Sequence, residues 1–508
     1  MHFSFRAHSQ LPRLAWCLIL TRGSDEAVVH HGPWVATGDG FLVDGVWDAE
    51  FAAGDFDRSS LFCGTGARVR GDRWVVSAPC HPFERLHAIS VDDRLIVSPS
   101  LSFALEASGR RLSFDFVPYQ TQLLHLVTSI AHNVGSAPLA DGATVRLFHY
   151  RNLEIDRDLS IRVVAKSEPT PPTDYADYER FMIESLRALA ENAADPSRGQ
   201  RFEPLTTVSS GYDSTACAAL STELGGTHAL TIRTARSDDT DSGAPVARAL
   251  GLEVTEFERD TYKGKSGFPE AEFVACGDLG QDLVMLAFEE ALPGKMLLTG
   301  FHGDTVWGRK PRGGAVHDLR RPDAAGCSLS EYRARVGFLH VPVPCLGGVH
   351  LPEICAISNA PEMAPWTLGT RYDRPIPRRL AEERGVGREL FGQDKKAITV
   401  LLNADEVLRE IMGPDSSRAF QAYYEAHRKE RDPAVQEKYD RMFRWSGLCS
   451  RLLKKPNAAL RRLGPWRIPN PIPFRYSQPT GAPSFLVHWG HSQIRERYRI
   501  DATAPAIS

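Results

Sequence analysis

Residues 205–214 read Leu205-Thr206-Thr207-Val208-Ser209-Ser210-Gly211-Tyr212-Asp213-Ser214, and they decide the fold. The first four are apolar or β-branched and suit a strand. Residues 215–223 are rich in alanine and read as a helix. A strand therefore runs into a helix through a turn of serine and glycine. The same texture continues downstream. Strands are expected at 229–232, 252–257 and 295–299, and helices at 244–250 and 282–292, with Gly251 at a helix C-terminal cap. Upstream, Tyr178, Met182, Leu186 and Leu189 share one helical face. Alternating strands and helices specify a parallel sheet covered on both faces.

The N-terminal third has a different texture. Short apolar runs such as Phe41-Leu42-Val43, Trp74-Val75-Val76 and Leu95-Ile96-Val97 are broken by Gly, Asp and Pro. They predict an antiparallel β-rich domain. Residues 98–105 (SPSLSFAL) fit a strand-turn-helix within it. Residues 167–173 (SEPTPPT) carry three prolines, the composition of a stiff, extended linker. The expected domains are residues 1–166 and 167–508.

The whole chain has 508 residues, 42% hydrophobic and 24% charged, with a formal net charge of -3. This excludes collagen-like, coiled-coil and disordered classes. Nothing in the total charge points to nucleic acid, and no run approaches the ~20 apolar residues that span a bilayer. Residues 14–20 (LAWCLIL) read as a strand rather than a secretion signal. Nine dispersed cysteines without a CxxC pair read as reduced thiols of a cytoplasmic protein. Nine basic residues and no acidic one fall between Arg441 and Arg475, which could receive an acidic partner or form a solvated face. Pro456 and Gly464-Pro465 are expected to break any long helix there.

The turn at 209–214 has a chemistry of its own. Serine hydroxyls, a glycine that lets the backbone approach and a helix N-terminus suit a phosphate. A carboxylate in such a loop repels phosphate unless a cation lies between, so Asp213 implies Mg2+ bridging to a nucleotide. By pattern alone, the residues fit a serine-glycine turn that caps a helix better, because such turns are common. The P-loop pattern is absent: Gly264-Lys265-Ser266 has Arg259 where its first glycine belongs.

These six residues resemble the S-G-G-x-D-S pyrophosphate loop of the N-type ATP pyrophosphatases, with Ser210 in place of the first glycine. Residues 175–400 resemble the synthetase domain of the asparagine synthetase family. Three further segments carry the likeness. They are Ser237-Asp238-Asp239 with residues 244–251, residues 297–308 (LLTGFHGDTVWG) and residues 391–397 (FGQDKKA). The resemblance implies a Rossmann-like parallel-sheet domain with a helical C-terminal extension. It implies ATP held by Val208, Ser209, Ser210, Gly211, Tyr212, Asp213, Ser214, Ile232, Gly300 and Gly303. It also implies Mg2+ held by Asp213 and Asp304, and Lys395 or Lys396 stabilising the adenylate and the tetrahedral intermediate. The adjacent tract Arg371-Tyr372-Asp373-Arg374-Pro375-Ile376-Pro377 could add phosphate contacts.

The departures matter as much. Phe301 stands where asparagine synthetases carry glutamate and β-lactam synthetases tyrosine, and phenylalanine has no ionisable group. Thr305 replaces another glutamate. His302 is a candidate substitute base or a packed histidine. The glutamine-using relatives begin with a cysteine, whereas this chain begins Met1-His2-Phe3 and Cys17 lies in a strand. The β domain therefore resembles a degenerate class II glutaminase, and no glutaminase activity is expected. The implied reaction adenylates a carboxylate, releases pyrophosphate and passes the acyl group to an amine. The amine could be ammonia, another molecule or part of the substrate, the last as in β-lactam synthetases and lasso-peptide cyclases. Phe301 and Thr305 support the alternative of a catalytically degenerate ATP-binding pseudo-synthetase that acts as an interaction protein.

Overall fold

The computed structural model describes residues 1–117, 134–237, 239–277, 280–310, 324–370, 372–394, 396, 398–400, 402, 405–463, 468 and 481–500. Asp238, Arg371, Lys395, Ala397, Arg467 and Arg475, and the side chains of Arg461 and Arg462, lie outside the described residues.

The N-terminal region contains β1 (His2–Ala7), β2 (Trp16–Thr21), β3 (Glu26–His31), β4 (Ala36–Gly38), β5 (Phe41–Val43), β6 (Gly66–Arg70), β7 (Arg73–Ser77), β8 (Leu86–Val91), β9 (Arg94–Ser98), α1 (Leu101–Ser108), β10 (Val134–Pro138), β11 (Thr144–Phe148), β12 (Asn152–Ile155) and β13 (Ile161–Val164). Two sheets result, ordered β1-β3-β2-β9-β8-β11-β10 and β13-β12-β7-β6-β5-β4. All pairs are antiparallel but one: β1 lies parallel to β3, so the first sheet is mixed. β2 and β3 form an antiparallel pair, which leaves the outer edge of β3 for β1.

Side-chain alternation along β2 sets the layers. Trp16, Leu18 and Leu20 enter the core shared by the two sheets with Trp74, Val76 and Phe148. Cys17 faces the other way, toward Phe103 and Leu105 of α1. Ser100 caps α1 by accepting the Phe103 amide at 3.0 Å.

The second region opens with α2 (Tyr175–Ala194), whose Asp174 side chain caps it at the Asp177 amide, 2.8 Å away. Its apolar face buries Tyr178, Met182, Leu186 and Leu189. A five-stranded, all-parallel sheet follows, built from β14 (Glu203–Thr207), β15 (His228–Ile232), β16 (Glu253–Phe257), β17 (Lys295–Thr299) and β18 (Leu339–Pro342) in the order β16-β15-β14-β17-β18. The helices that matter below are α3 (Tyr212–Ser221), α4 (Ala244–Ala249), α5 (Gly303–Val306), α6 (Ser330–Val336), α7 (Pro433–Leu463) and α8 (Leu486–Ile494). The helix expected at 282–292 is wound as a 3-10 helix, Leu283–Ala291. α7 runs through Pro456. A proline removes a single intrahelical hydrogen bond, and strong helix formers on both sides (Leu452, Leu453, Lys454, Lys455, Ala458, Ala459) carry the helix past it. Among the described residues no helix is long and apolar enough to cross a membrane.

The two regions share core and charge. Leu14, Val46, Leu61 and Phe83 of the first pack in one cluster with Met182, Leu186, Met296 and Leu298 of the second. At the same junction Arg333 of α6 is buried between Asp44 at 3.0 Å and Glu84 at 2.7 Å. α8 closes the far side of the first sheet, where Leu486, Val487 and Trp489 join Phe103 and Val145.

Lys166, which follows β13, is buried with its ammonium donating to Asn152 Oδ1 at 2.8 Å. Burial lowers its pKa from 10.5 to about 8. The unfolded chain therefore binds the extra proton between those values, and stability should rise with pH across that window. Lys166→Met should flatten that part of the pH–stability curve. Urea titrations of both proteins from pH 7.5 to 10 would check this, and identical slopes would refute it.

Candidate functional site

The winding order positions the site. The chain lays down β14, moves outward on one side through β15 and β16, and returns to place β17 on the other side of β14. The loops after β14 and β17 therefore diverge at the carboxyl edge, and a crevice opens between them. A cavity of about 240 Å³ lies there. Val208, Ser209, Gly211, Asp213, Ser214, Ile232, Gly300, His302, Asp304 and Lys396 all line it. These come from four separate stretches of sequence.

The loop is organised before any ligand arrives. Ser214 Oγ accepts the Ser209 amide at 3.0 Å and lies 2.8 Å from Ser209 Oγ. Ser209 Oγ also accepts the Gly211 amide at 3.2 Å. Ser210 turns aside, its hydroxyl donating to Asp241 Oδ1 at 2.6 Å. α3 begins at Tyr212 with no side-chain cap, so its first-turn N–H groups are left for a ligand. Gly211 approaches the cavity with no side chain of its own.

Asp213 is the electrostatic centre. One carboxylate oxygen is held by the Arg374 guanidinium, and the other, Oδ1, is buried without a hydrogen-bond partner. Burial opposes the charge on Arg374, yet Asp213 beside it holds its pKa above the ordinary value, with Asp304 adding to the effect. Asp304, in the first turn of α5, thus lies in the same charge cluster. Gly300 lines the cavity and Gly303 does not, and both lie tight against Asp213. A Cβ on Gly303 would meet the Asp213 carboxyl carbon at 2.5 Å, and one on Gly300 would meet the Asp213 carbonyl carbon at 2.6 Å. Both glycines let α5 and the end of β17 close on the carboxylate.

Besides Gly303, two other expected positions lie off the cavity lining. Ser210 is drawn to Asp241, as above. Tyr212 is buried, its ring against Phe391 and Tyr372 and its hydroxyl bonded to Arg378. The alternation of the first helical turn points Tyr212 into the core while Asp213 points at the crevice. Thr305 is likewise buried and is not part of the lining.

One wall of the cavity is apolar. Leu230, Ile232, Met285, Phe288 and Ile398 make a slot beside the polar loop. Opposite, Phe301 and His302 meet the N-terminal region directly: the Phe83 ring lies 4.3 Å from the His302 ring and 5.9 Å from Phe301. His302 is buried and adopts a left-handed backbone at φ 71°, which turns the chain sharply from β17 into α5. Thr299 at the cavity wall is 2.8 Å from His340 Nε2, and burial with the nearby Arg333 charge lowers the His340 pKa to about 3. That histidine is neutral at pH 7. Lys396 reaches across the mouth and donates to the Thr240 carbonyl.

Sequence reasoning passed over Asp241, Met285, Phe288, Thr299, Ala325 and Thr399, which also line the cavity. Asp241 sits two residues past an acidic turn already singled out, and that was its one signal. Thr299 lies within the 297–308 stretch already singled out, and the remaining four come from apolar or small-residue stretches with no local mark.

No family model and no curated protein matches the chain. Among solved structures it is similar to a glutamine phosphoribosylpyrophosphate amidotransferase from B. subtilis, complexed with ADP and GMP. The identity is 9%, the match covers 67% of this chain and 88% of that one, and the TM-score is 0.18. So slight a likeness carries no argument about fold or activity.

Proposed function

We propose that this chain is an ATP-dependent, amide-forming ligase. In this reading the parallel-sheet region is a Rossmann-like synthetase domain of the asparagine synthetase type, and the N-terminal region a glutaminase-like domain without its cysteine. One observation carries the reading. The loop Ser209–Ser214, the uncapped start of α3 and two carboxylates from different strands' loops converge on a single cavity with an apolar slot beside it.

A nucleotide fits this division. The slot suits a flat heterocycle, and the loop with the helix start suits phosphates. The residues also fit a divalent cation, because Asp213 keeps a buried oxygen without a protein partner and Asp304 lines the same cavity. Asp213 and Asp304 would hold Mg2+, which supplies charge neutralisation to the phosphates when bound.

The chain's own groups then have distinct tasks. Ser209, Ser214 and the α3 amides orient the β- and γ-phosphates. A substrate carboxylate oxygen attacks the α-phosphorus, the bond to the bridging oxygen breaks, and pyrophosphate leaves. The amine attacks the acyl carbon, loses a proton, and AMP departs with the acyl C–O bonding pair. Lys396 places a fixed positive charge at the mouth, where negative charge develops in both steps. His302 is the ionisable ring at the cavity wall suited to take the amine proton. Phe83 and Phe301 exclude water, which protects an acyl-adenylate from hydrolysis.

The test is ATP–pyrophosphate exchange across a panel of amino-acid, peptide and small-molecule carboxylates, with Mg-ATP binding measured in parallel by equilibrium dialysis. Mg2+-dependent ATP binding and exchange with one carboxylate class are expected. Binding without any exchange would favour the pseudo-synthetase reading that Phe301 and Thr305 suggest. Neither binding nor exchange would overturn nucleotide use altogether.

A further inference from the structure

α7 has no part in the proposed chemistry. It is 31 residues long, about 46 Å at helical rise. Yet among its described side chains Ser446 alone is buried. A helix in water owes most of its stability to packing of one face, so this one is short of a partner. Large apolar side chains are rarely exposed elsewhere in the described residues, whereas Trp445 (54% exposed), Leu448 (40%) and Leu452 (66%) crowd one segment of α7.

Their spacing is three and four residues, which aligns them in a single narrow seam. Arg441 lies in the same line one turn earlier. Arg444, Arg451 and Lys455, spaced seven and four apart, form a row along one side of it. No carboxylate among the described residues pairs with these four cations or with Lys454. The chain beyond the helix does not cover the seam where it is next described: Ile468 bonds Asn457 through both its amide (2.7 Å) and its carbonyl (3.1 Å), and Asn457 points to the opposite side.

We infer that this face of α7 docks an acidic amphipathic helix of a protein or peptide partner, with apolar residues at heptad spacing flanked by Asp or Glu. Three features select that occupant. With Met442, Cys449 and Leu453 half-buried beside it, the exposed seam is as narrow as a two-helix interface, whereas a helix lying on a lipid surface needs an apolar face at least ~100° wide. A second copy of this chain packed antiparallel would bring cation row against cation row. The exposed Trp-Leu-Leu seam has no role in binding a phosphate backbone, which charge alone would serve. The inference stands independently of the ligase reading.

The test uses the full chain and a fluorescein-labelled synthetic peptide of about four heptads, with Leu at the first and fourth positions and Glu flanking them. Anisotropy should report saturable binding that weakens with added salt. The lysine-flanked counterpart should not bind. The triple variant Arg444→Glu, Arg451→Glu, Lys455→Glu and the double variant Trp445→Ser, Leu452→Ser should each weaken binding by about tenfold or more. Unchanged helicity by circular dichroism and an unchanged urea midpoint would show that both variants fold. Absence of acidic-peptide binding, equal binding of the lysine peptide, or indifference to both sets of substitutions would overturn the inference. So would preferential binding to phosphatidylglycerol vesicles or to a single-stranded oligonucleotide, or a concentration-dependent dimer abolished by the Trp445→Ser, Leu452→Ser variant.

Discussion

Asp213→Ala is expected to lower ATP–pyrophosphate exchange by about a thousandfold, the scale of losing a charge placed where a transition state needs it. The reason lies in what Asp213 touches. It carries the unpartnered buried oxygen that would meet the cation, and it holds Arg374 with its other oxygen. Removing it frees the guanidinium inside the proposed phosphate site. Metal-free ATP should then bind as well as before or better, while Mg2+ no longer improves its binding. A general loss of folding would weaken both forms alike, so the contrast distinguishes the two causes. Exchange that survives in Asp213→Ala would refute the metal assignment even if the nucleotide site is right.

Arg333→Met should destabilise the folded chain by about 3–5 kcal/mol, because it strands buried carboxylates without their cation. Asp44 and Glu84 come from the N-terminal region and Arg333 from α6, so both regions should lose stability together in a urea titration read by near-ultraviolet circular dichroism. The loss should depend on pH. Burial lifts the Glu84 pKa to about 7 against the pull of Arg333. Without the arginine the carboxyl keeps its proton to higher pH and, once neutral, costs little to bury. The destabilisation should therefore be smaller at pH 5 than at pH 8. A variant within about 1 kcal/mol of the parent at pH 8 would show that the carboxylates do not need this cation.

Much of the parallel-sheet region was legible in the chain. The runs at 229–232, 252–257 and 295–299 were apolar, of strand length and separated by helix-forming segments, so period and length agreed. Tyr178, Met182, Leu186 and Leu189 announced the buried face of α2. The site was legible where residues adjacent in sequence are also adjacent in space, as in the loop from Ser209 to Ser214. It was not legible where contact depends on the path of the chain. Arg374 meets Asp213 from a loop about 160 residues away, and Phe83 meets His302 from the other region. Met285 and Phe288 looked like ordinary core residues because an apolar wall of a pocket and a core face have the same composition.

What the sequence determined on its own is local. Apolar period and the serine-glycine turn specify strands, helices and a strand-to-helix loop with an acid inside it. Only the tertiary structure decided which loops share a crevice, that Ser210 and Tyr212 turn away from it while Asp213 points in, that β1 lies parallel to β3, and that α7 leaves a Trp-Leu-Leu seam in water. The physical reason is that period and turn chemistry act over a few residues. The order of strands in a sheet, and the burial that follows from it, is fixed by pairing between segments tens of residues apart, as where Glu203 of β14 meets Lys295 of β17.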